Sequence, residues 1–388
     1  MKLILLAHPP SFITASMPRF VKMILQGMTR RGHTLEVWTS GQVIGRLSVR
    51  SCSVRKWLRY VDQFLIYPRA LRRRVNQTNR DSLFVITDQN LGMWVPCLAH
   101  RPHVIHCHDF LALGSAMGEF PENPTRWSGQ QYQRLIRRGF SRGRAFISVS
   151  GKTREDLHHI LPRVPNISEV VHNGLNHPFR PMGLADRIPL LERLNVEIPK
   201  DGYVMHIGGN QWYKNRTGVL EIYRDYAISY PRPAALWMVG SPPTAQLLDL
   251  AASIPSPGKV HFLSGLTDEQ VNAAYSHSRV LLFPSLEEGF GWPIVEAMAS
   301  ECPVITTCRA PMTEVAGDSA SVIPRMPGKR TERETWVRSA ARTLDKTVRM
   351  KESERARVIA QGRANAARFD TETALAAYEE IYFRAMTA

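Results

Sequence analysis

Short apolar runs of three to six residues recur along the chain, separated by longer amphipathic stretches. That is the pattern of strands buried on both faces alternating with helices that cover them. In the first half, Leu3–Ala7, Thr34–Thr39, Leu83–Thr87, Val104–Cys107, Ala145–Val149 and Glu169–His172 predict six strands. A second series, Tyr203–Ile207, Ala235–Val239, Val260–Leu263, Val280–Phe283, Val304–Thr306 and Ser321–Ile323, predicts six more. Helices fall between them, for instance Met17–Arg31 closed by Gly32, Arg216–Ile228, Asp268–His277 and Pro293–Ala299. Between the two series, residues 176–201 hold Pro178, Pro181, Pro189 and Pro199 and no clear strand, which places a linker there. Such alternation builds parallel sheets. The expected fold is therefore α/β, with two Rossmann-like domains joined by a hinge. From Thr331 to Met386 the pattern turns wholly helical, with Trp336, Val337, Leu344 and Val348, then Ala374, Leu375, Tyr378, Ile381 and Tyr382, at helix-face spacing. The expected boundaries are 1–180 for the first domain, 181–365 for the second and 366–388 for a closing helix that packs back on the first.

Composition sharpens this outline. A chain of 388 residues with 44% hydrophobic and 9% aromatic content suits two well-filled cores of roughly 180 residues each. No apolar run approaches the roughly 18 residues of a membrane span, and the run within Met1–Pro10 is too short for a signal peptide. The five cysteines, Cys52, Cys97, Cys107, Cys302 and Cys308, are odd in number and show no Cys-x-x-Cys spacing. Reduced thiols in a cytoplasmic protein are expected, without a zinc site.

Charge is uneven. Residues 1–180 carry 26 Lys and Arg against 10 Asp and Glu, and residues 181–388 carry 24 against 24, so the whole net charge of +16 lies in the first half. It concentrates in Arg46, Arg50, Arg55, Lys56 and Arg59, in Arg69, Arg72, Arg73 and Arg74, and in Arg134, Arg137, Arg138, Arg142 and Arg144. Such a field attracts an anionic surface, whether lipid headgroups, a pyrophosphate-linked lipid, an acidic glycan or nucleic acid. Solvated basic helix faces without a partner are the plainer reading. Few aromatics interleave the arginines of 46–80, which argues against single-stranded nucleic acid.

The chemistry concentrates where the strand Val280–Phe283 runs into a loop with Gly289 and Gly291 and then into a helix that Pro293 is suited to start. Amides at a helix start carry partial positive charge, so the expected occupant is a phosphate. Glu296 is placed in the first helical turn, where it could accept hydrogen bonds from a ribose diol. Glu288 is placed at the mouth, facing whatever the phosphate carries. Phe290 and Trp292 could wall the pocket, and the glycines let backbone approach a ligand. Taken alone, the same residues could be a capped helix with two surface glutamates. Lys214, after the turn Gly208-Gly209-Asn210, could reach a diphosphate and offset charge on a leaving group. His106 and His108 alternate along a strand and share a face. They could be a core pair or functional groups, and no third ligand for a metal is visible.

The string Glu288-Gly289-Phe290-Gly291-Trp292-Pro293-Ile294-Val295-Glu296 resembles the Glu-x7-Glu signature of family 4 retaining glycosyltransferases with the GT-B fold. Residues 31–37, 104–109, 171–176 and 212–215 resemble further segments of that family. The resemblance implies two Rossmann-like domains facing each other across a cleft, with the donor bound by 181–365 and the acceptor by the basic first half. It implies retaining hexosyl transfer from a nucleoside-diphosphate sugar to a hydroxyl of a glycan or lipid-linked glycan, as in envelope or exopolysaccharide biosynthesis. His108, Glu288 and Lys214 take catalytic roles; Gly289, Phe290, Gly291, Trp292, Glu296, Gly209 and Asn210 take donor-binding roles. The chain has no Asp-x-Asp, the metal-binding signature of the other main glycosyltransferase fold, so metal-independent transfer without a cofactor is expected. An anionic membrane surface is the expected partner of the basic half, giving a peripheral protein at the cytoplasmic face; nucleic acid is not expected.

Two departures accompany the match. Gly209 or Asn210 stands where similar enzymes carry an arginine, leaving Arg216 as the alternative cation, and Pro9-Pro10-Ser11-Phe12 stands where they show a glycine pair. A nucleotide-sugar epimerase on the same fold and a basic nucleic-acid-binding protein are the alternatives.

Overall fold

The structure is a computed structural model that describes residues 1–9, 16–40, 58, 61–175 and 177–387. Arg46, Arg50, Cys52, Arg55, Lys56, Arg59, Asn176 and the segment Pro10-Ser11-Phe12 lie outside the described residues.

All twelve apolar runs form strands, each within two residues of the expected ends. They are β1 (Lys2–Ala7), β2 (Thr34–Thr39), β3 (Ser82–Ile86), β4 (His103–Cys107), β5 (Ala145–Ser148), β6 (Ile167–Val170), β7 (Val204–Gly208), β8 (Leu236–Gly240), β9 (Val260–Leu263), β10 (Val280–Phe283), β11 (Val304–Thr307) and β12 (Ser321–Ile323). They pair as two six-stranded sheets, in the orders β2-β1-β3-β4-β5-β6 and β12-β11-β10-β7-β8-β9. Every pairing is parallel. Strands β3, β4, β5, β10 and β11 are buried at every residue, which is why they read as unbroken apolar runs rather than alternating ones.

The chain divides into two compact units, residues 1–176 with 371–388, and residues 177–370. In the first, Ile4, Leu6, Phe84, Ile86, Ile105 and Phe146 of the sheet pack against Leu71, Val75, Trp94, Ile136 and Phe140. The helix Thr371–Thr387 also belongs to this unit and buries Leu375, Tyr378, Ile381 and Tyr382. In the second, Val204, Leu236, Met238, Val280, Leu282 and Ile305 pack against Val219, Ile222, Tyr223 and Tyr226 of Arg216–Ser229 and against Trp336, Ala340 and Leu344 of Arg330–Val348. Each large apolar side chain so buried contributes about 1.5–3 kcal/mol.

The stretch 176–201 is not simply a linker. The crossing from the first unit to the second falls at 176–177, the chain returns at 370–371, and Leu184–Glu192 is a helix within the second unit. Its prolines suggested a break because Pro189 removes one donor, but nine residues of helix accommodate it.

In both sheets the strand order reverses beside the first strand of the unit. The second sheet reverses between β7 and β10, the first between β1 and β3. Outside the carboxyl ends of strands at such a reversal lies the crevice where open α/β sheets hold ligands.

Candidate active site

At the β7–β10 reversal, the two loops that leave the sheet are tied together by four contacts. Asn215 Nδ2 donates to the Pro284 carbonyl at 2.9 Å, and the Leu286 amide donates to the Tyr213 carbonyl at 2.7 Å. Lys214 Nζ donates to both carboxylate oxygens of Glu288, at 2.7 and 2.9 Å. Asn215 adopts a left-handed conformation with φ of 52° and caps the helix Arg216–Ser229 by accepting the Gly218 amide. The sequence therefore turns Lys214 back over the sheet end, where its ammonium also lies 5.3 Å from the rings of Tyr213 and Phe283.

Glu288 is buried rather than open to solvent. It is 9% exposed, and besides Lys214 it accepts from Ser285 Oγ at 2.8 Å. Two groups to which separate roles fell are one ion pair, 74 residues apart in sequence. A buried pair is costly to break from one side, because the remaining charge is left uncompensated. Next to it, Glu287 is buried and pairs with Arg309 at 3.1 Å and Arg325 at 3.3 Å, which ties the carboxyl ends of β10, β11 and β12 together.

The helix starts at Trp292, with Pro293 inside its first turn and Gly291 (φ of 102°) as its cap. Glu296 therefore falls beyond the first turn, contrary to the expectation from Pro293 as the starting residue. It is 5% exposed and accepts from the Tyr275 hydroxyl at 3.0 Å. Phe290 is buried edge-on against Trp292 and Phe369 and packs as core under the loop. Gly289, Gly291 and Trp292 belong to the same turn, which stands over the end of β10.

On the β7 side, Gly208 is overlaid so closely by Gly240 that a Cβ on Gly240 would lie 2.2 Å from the Gly208 carbonyl oxygen. Beyond it, Gly209 leads to Asn210, whose amide donates to the Pro242 carbonyl at 2.8 Å and whose oxygen accepts from Arg216. Arg216 is 4% exposed and donates to the Ser241 carbonyl at 2.9 Å; among the described residues it has no carboxylate partner, and its Nε and Nη2 are buried with no hydrogen-bond partner. Burial lowers its pKa from the usual guanidinium value. Arg216 thus lies against Asn210. His206, beneath this turn, donates Nδ1–H to the Leu282 carbonyl at 3.0 Å, and burial depresses its pKa to about 3, so it is neutral.

In the first unit, β4 ends at Cys107, so His108 is the first residue past the strand rather than on it. Its Nε2 donates to the Thr87 carbonyl at 2.9 Å, its amide donates to Gln89 Oε1 at 2.8 Å, and its ring meets Phe20 edge-on at 4.5 Å. Burial lowers its pKa, with Asp88 opposing. His106 is a core residue: fully buried, it bonds the Tyr382 hydroxyl at 2.7 Å.

Sequence reasoning missed Asp88 and His8. His8 follows β1 and Asp88 follows β3, and His8 Nε2 lies 3.1 Å from Asp88 Oδ2 across the reversal of the first sheet. Nothing in the local sequence marks either residue, since the pair spans 80 positions. Among the described residues no cluster of three or more His, Cys, Asp or Glu is arranged to hold a metal ion, and no helix is long and apolar enough to cross a membrane.

Two family models match the chain, one described as Glycosyltransferase Family 4 over residues 17–178 and one as Glycosyl transferases group 1 over residues 192–363. The O-antigen chain mannosyltransferase B of Escherichia coli is 22% identical over 203 residues, 49% of this chain and 50% of that protein. The chain spans about half the length, or less, of the curated relatives it matches. Among solved structures, WaaG, a glycosyltransferase involved in lipopolysaccharide biosynthesis, superposes with a TM-score of 0.70 at 16% identity over 98% of this chain and 99% of its own. HepE of Anabaena in complex with UDP and glucose superposes at 0.68 with 17% identity, over 98% of each chain. Two parallel sheets in two units, a loop site at the reversal of the second, and models matched on either side of the unit boundary place this chain in the family: it belongs to the group 1 and family 4 glycosyltransferases and has the GT-B fold.

Proposed function

We propose that this glycosyltransferase is a retaining, metal-independent hexosyltransferase, moving a sugar from a nucleoside-diphosphate sugar to a hydroxyl of a glycan or lipid-linked glycan. The observation that carries the reading is the Lys214–Glu288 ion pair at the β7–β10 reversal, beside the amino end of the helix Trp292–Ala299. Support comes from relatives named as O-antigen mannosyltransferases and from the nucleotide and sugar in the HepE complex. These favour envelope polysaccharide as the product class.

On this reading the donor diphosphate lies against the turn 289–292, where backbone dipoles favour an anion, and draws Lys214 away from Glu288. The released carboxylate then accepts hydroxyls of the transferred sugar, while Glu296 accepts from the ribose. Asn210 and Gly209 approach the diphosphate from the β7 side, with Arg216 behind them as a fixed positive charge. The bond from the anomeric carbon to the phosphate oxygen breaks, the acceptor oxygen bonds that carbon on the same face, and the acceptor proton passes to the departing phosphate. Lys214 stabilises the charge that develops on the leaving group. For the first unit, the reading gives His108, just past β4, a catalytic role.

The exposed basic residues of that unit, with Trp127 73% and Leu65 53% exposed, suit a peripheral position on an anionic leaflet, where each basic residue near the surface is worth about 1 kcal/mol.

The test begins with thermal stability in UDP-, GDP- and ADP-sugars, because a ligand at 100 times its dissociation constant adds about 2.7 kcal/mol. Glu288→Ala and Lys214→Ala are each expected to lower transfer at least a hundredfold, with the anomeric configuration of the wild-type product read by NMR. Full transfer by Glu288→Ala, or an inverted product, overturns the reading.

A further inference from the structure

The donor reading uses the carboxyl ends of the second sheet and leaves its amino ends aside. There the segments leading into β7, β8 and β9, Arg279 at the head of β10 and the end of the helix Arg330–Val348 border a cavity of about 480 Å³. Sites for small molecules usually measure roughly 300–1,000 Å³. The five residues of β7, about 17 Å of strand, separate this cavity from the turn that carries Gly209 and Asn210.

The walls are held by packing and by backbone hydrogen bonds. Pro199, Pro233 and Pro257 line the cavity, each with its φ locked by the ring. The Pro199 carbonyl accepts from the Gly202 amide at 3.0 Å and from His277 Nε2 at 2.8 Å. Gly202 takes a φ of 77°, and a Cβ there would lie 2.4 Å from the His277 carbonyl oxygen, so the loop into β7 is pressed against the end of the helix Asp268–His277. A wall already in place spares a ligand the cost of ordering it.

The charge of the lining is one-sided, with five Lys and Arg against two Asp and Glu. Lys259 is offset by Glu197 at 2.6 Å, and Arg349 by Asp345 at 2.6 Å. Lys200, Arg232 and Arg279 remain, and among the described residues none of them has a carboxylate partner. They come from three separate segments, so it is the fold that gathers these like charges on one concavity. Arg279 Nη2 donates to the Val348 carbonyl at 3.1 Å, which fixes its guanidinium in the wall. A concave surface lined by one sign of charge concentrates its field, and guanidinium groups match the geometry of phosphate oxygens. Asp201, also in the lining, is an acceptor for hydroxyls when ionised.

We infer that this cavity binds a phosphate monoester of a polyol, its phosphate held by Lys200, Arg232 and Arg279 and a hydroxyl by Asp201. Neither the donor site nor the transferase reading enters this inference.

Calorimetry on the full chain with glucose 6-phosphate, inorganic phosphate and glucose tests it, with thermal melting of each variant without ligand reporting the fold. Glucose 6-phosphate is expected to bind, inorganic phosphate to bind at least tenfold more weakly, and glucose to give no heat. Arg232→Gln and Lys200→Gln, both at exposed positions, are each expected to weaken the ester at least tenfold at an unchanged melting temperature. Arg279→Gln should do the same, and if its melting temperature falls, the two exposed variants decide. Asp201→Ala should weaken the ester while leaving inorganic phosphate bound as in wild type or more tightly. No heat from either phosphate, or wild-type binding in both Arg232→Gln and Lys200→Gln, overturns the site. Inorganic phosphate binding as tightly as the ester overturns the polyol as its ligand.

Discussion

At the residue scale, what the sequence shows and hides follows from distance along the chain. Glu288, Gly289, Gly291 and Glu296 were visible because a site built from one loop and the helix after it is contiguous in sequence. The pairing of Lys214 with Glu288, and of His8 with Asp88, depends on which strands become neighbours, and an apolar run does not encode its neighbour. Burial of neutral histidines adds a testable pH dependence. In the folded second unit His206 has a pKa near 3, against an ordinary value of 6.5 in the unfolded chain. Between those values the unfolded state binds the extra proton, so stability is full above pH 6.5 and falls as pH drops towards 3, by up to about 1.4 kcal/mol per pH unit for this one group. Urea unfolding of wild type and His206→Gln between pH 4 and 8 checks it. The variant, which cannot titrate, is expected to show the shallower loss on the acid side; equal slopes would remove His206 as a source.

At the scale of elements, the twelve strands were legible because parallel strands covered on both faces must be apolar throughout. Boundaries were less so. The helix after the Gly-rich turn starts at Trp292 because Gly291 takes the left-handed cap, and that single residue moves Glu296 out of the first turn. Proline punctuation concealed Leu184–Glu192 for the opposite reason, since packing held a helix that local signals argued against. At the β7–β10 reversal, Gly240 at the end of β8 lies close over Gly208 at the end of β7. Gly240 has φ of 130°, which side-chain-bearing residues rarely adopt, and its neighbour there is backbone rather than a side chain that could swing away. Gly240→Ala should therefore cost about 1–3 kcal/mol and displace the turn that carries Gly209 and Asn210. Loss of stability with at least tenfold weaker nucleotide-sugar binding in calorimetry is expected. Unchanged binding in a folded variant would show that the β7 turn does not hold the donor.

At the scale of the whole molecule, two features belong to the first unit and to no single element. One is its completion by the last helix, Thr371–Thr387, whose Tyr382 reaches His106 and whose Arg384 pairs with Glu169 at 2.9 Å. The other is the charge, 26 basic against 10 acidic residues in 1–180, which leaves the second half neutral. On the described part, the arginines of Tyr67–Gln77 and Trp127–Phe140 are mostly exposed, and few carboxylates lie close to them. Attraction of such a surface to anionic lipid acts over about a Debye length, roughly 10 Å at 0.1 M salt and 3 Å at 1 M. Binding to vesicles of phosphatidylglycerol and phosphatidylcholine should then be strong at low ionic strength, fall steeply by 0.5 M salt, and vanish on phosphatidylcholine alone. Replacing Arg72, Arg73, Arg134 and Arg138 together by Gln should weaken it by several kcal/mol, at about 1 kcal/mol for each residue near the surface. Nucleotide-sugar binding should stay as it is, since these residues lie in the unit that does not hold Lys214 and Glu288. Cosedimentation that ignores salt, or a variant that binds as wild type does, would assign the charge to solvation alone.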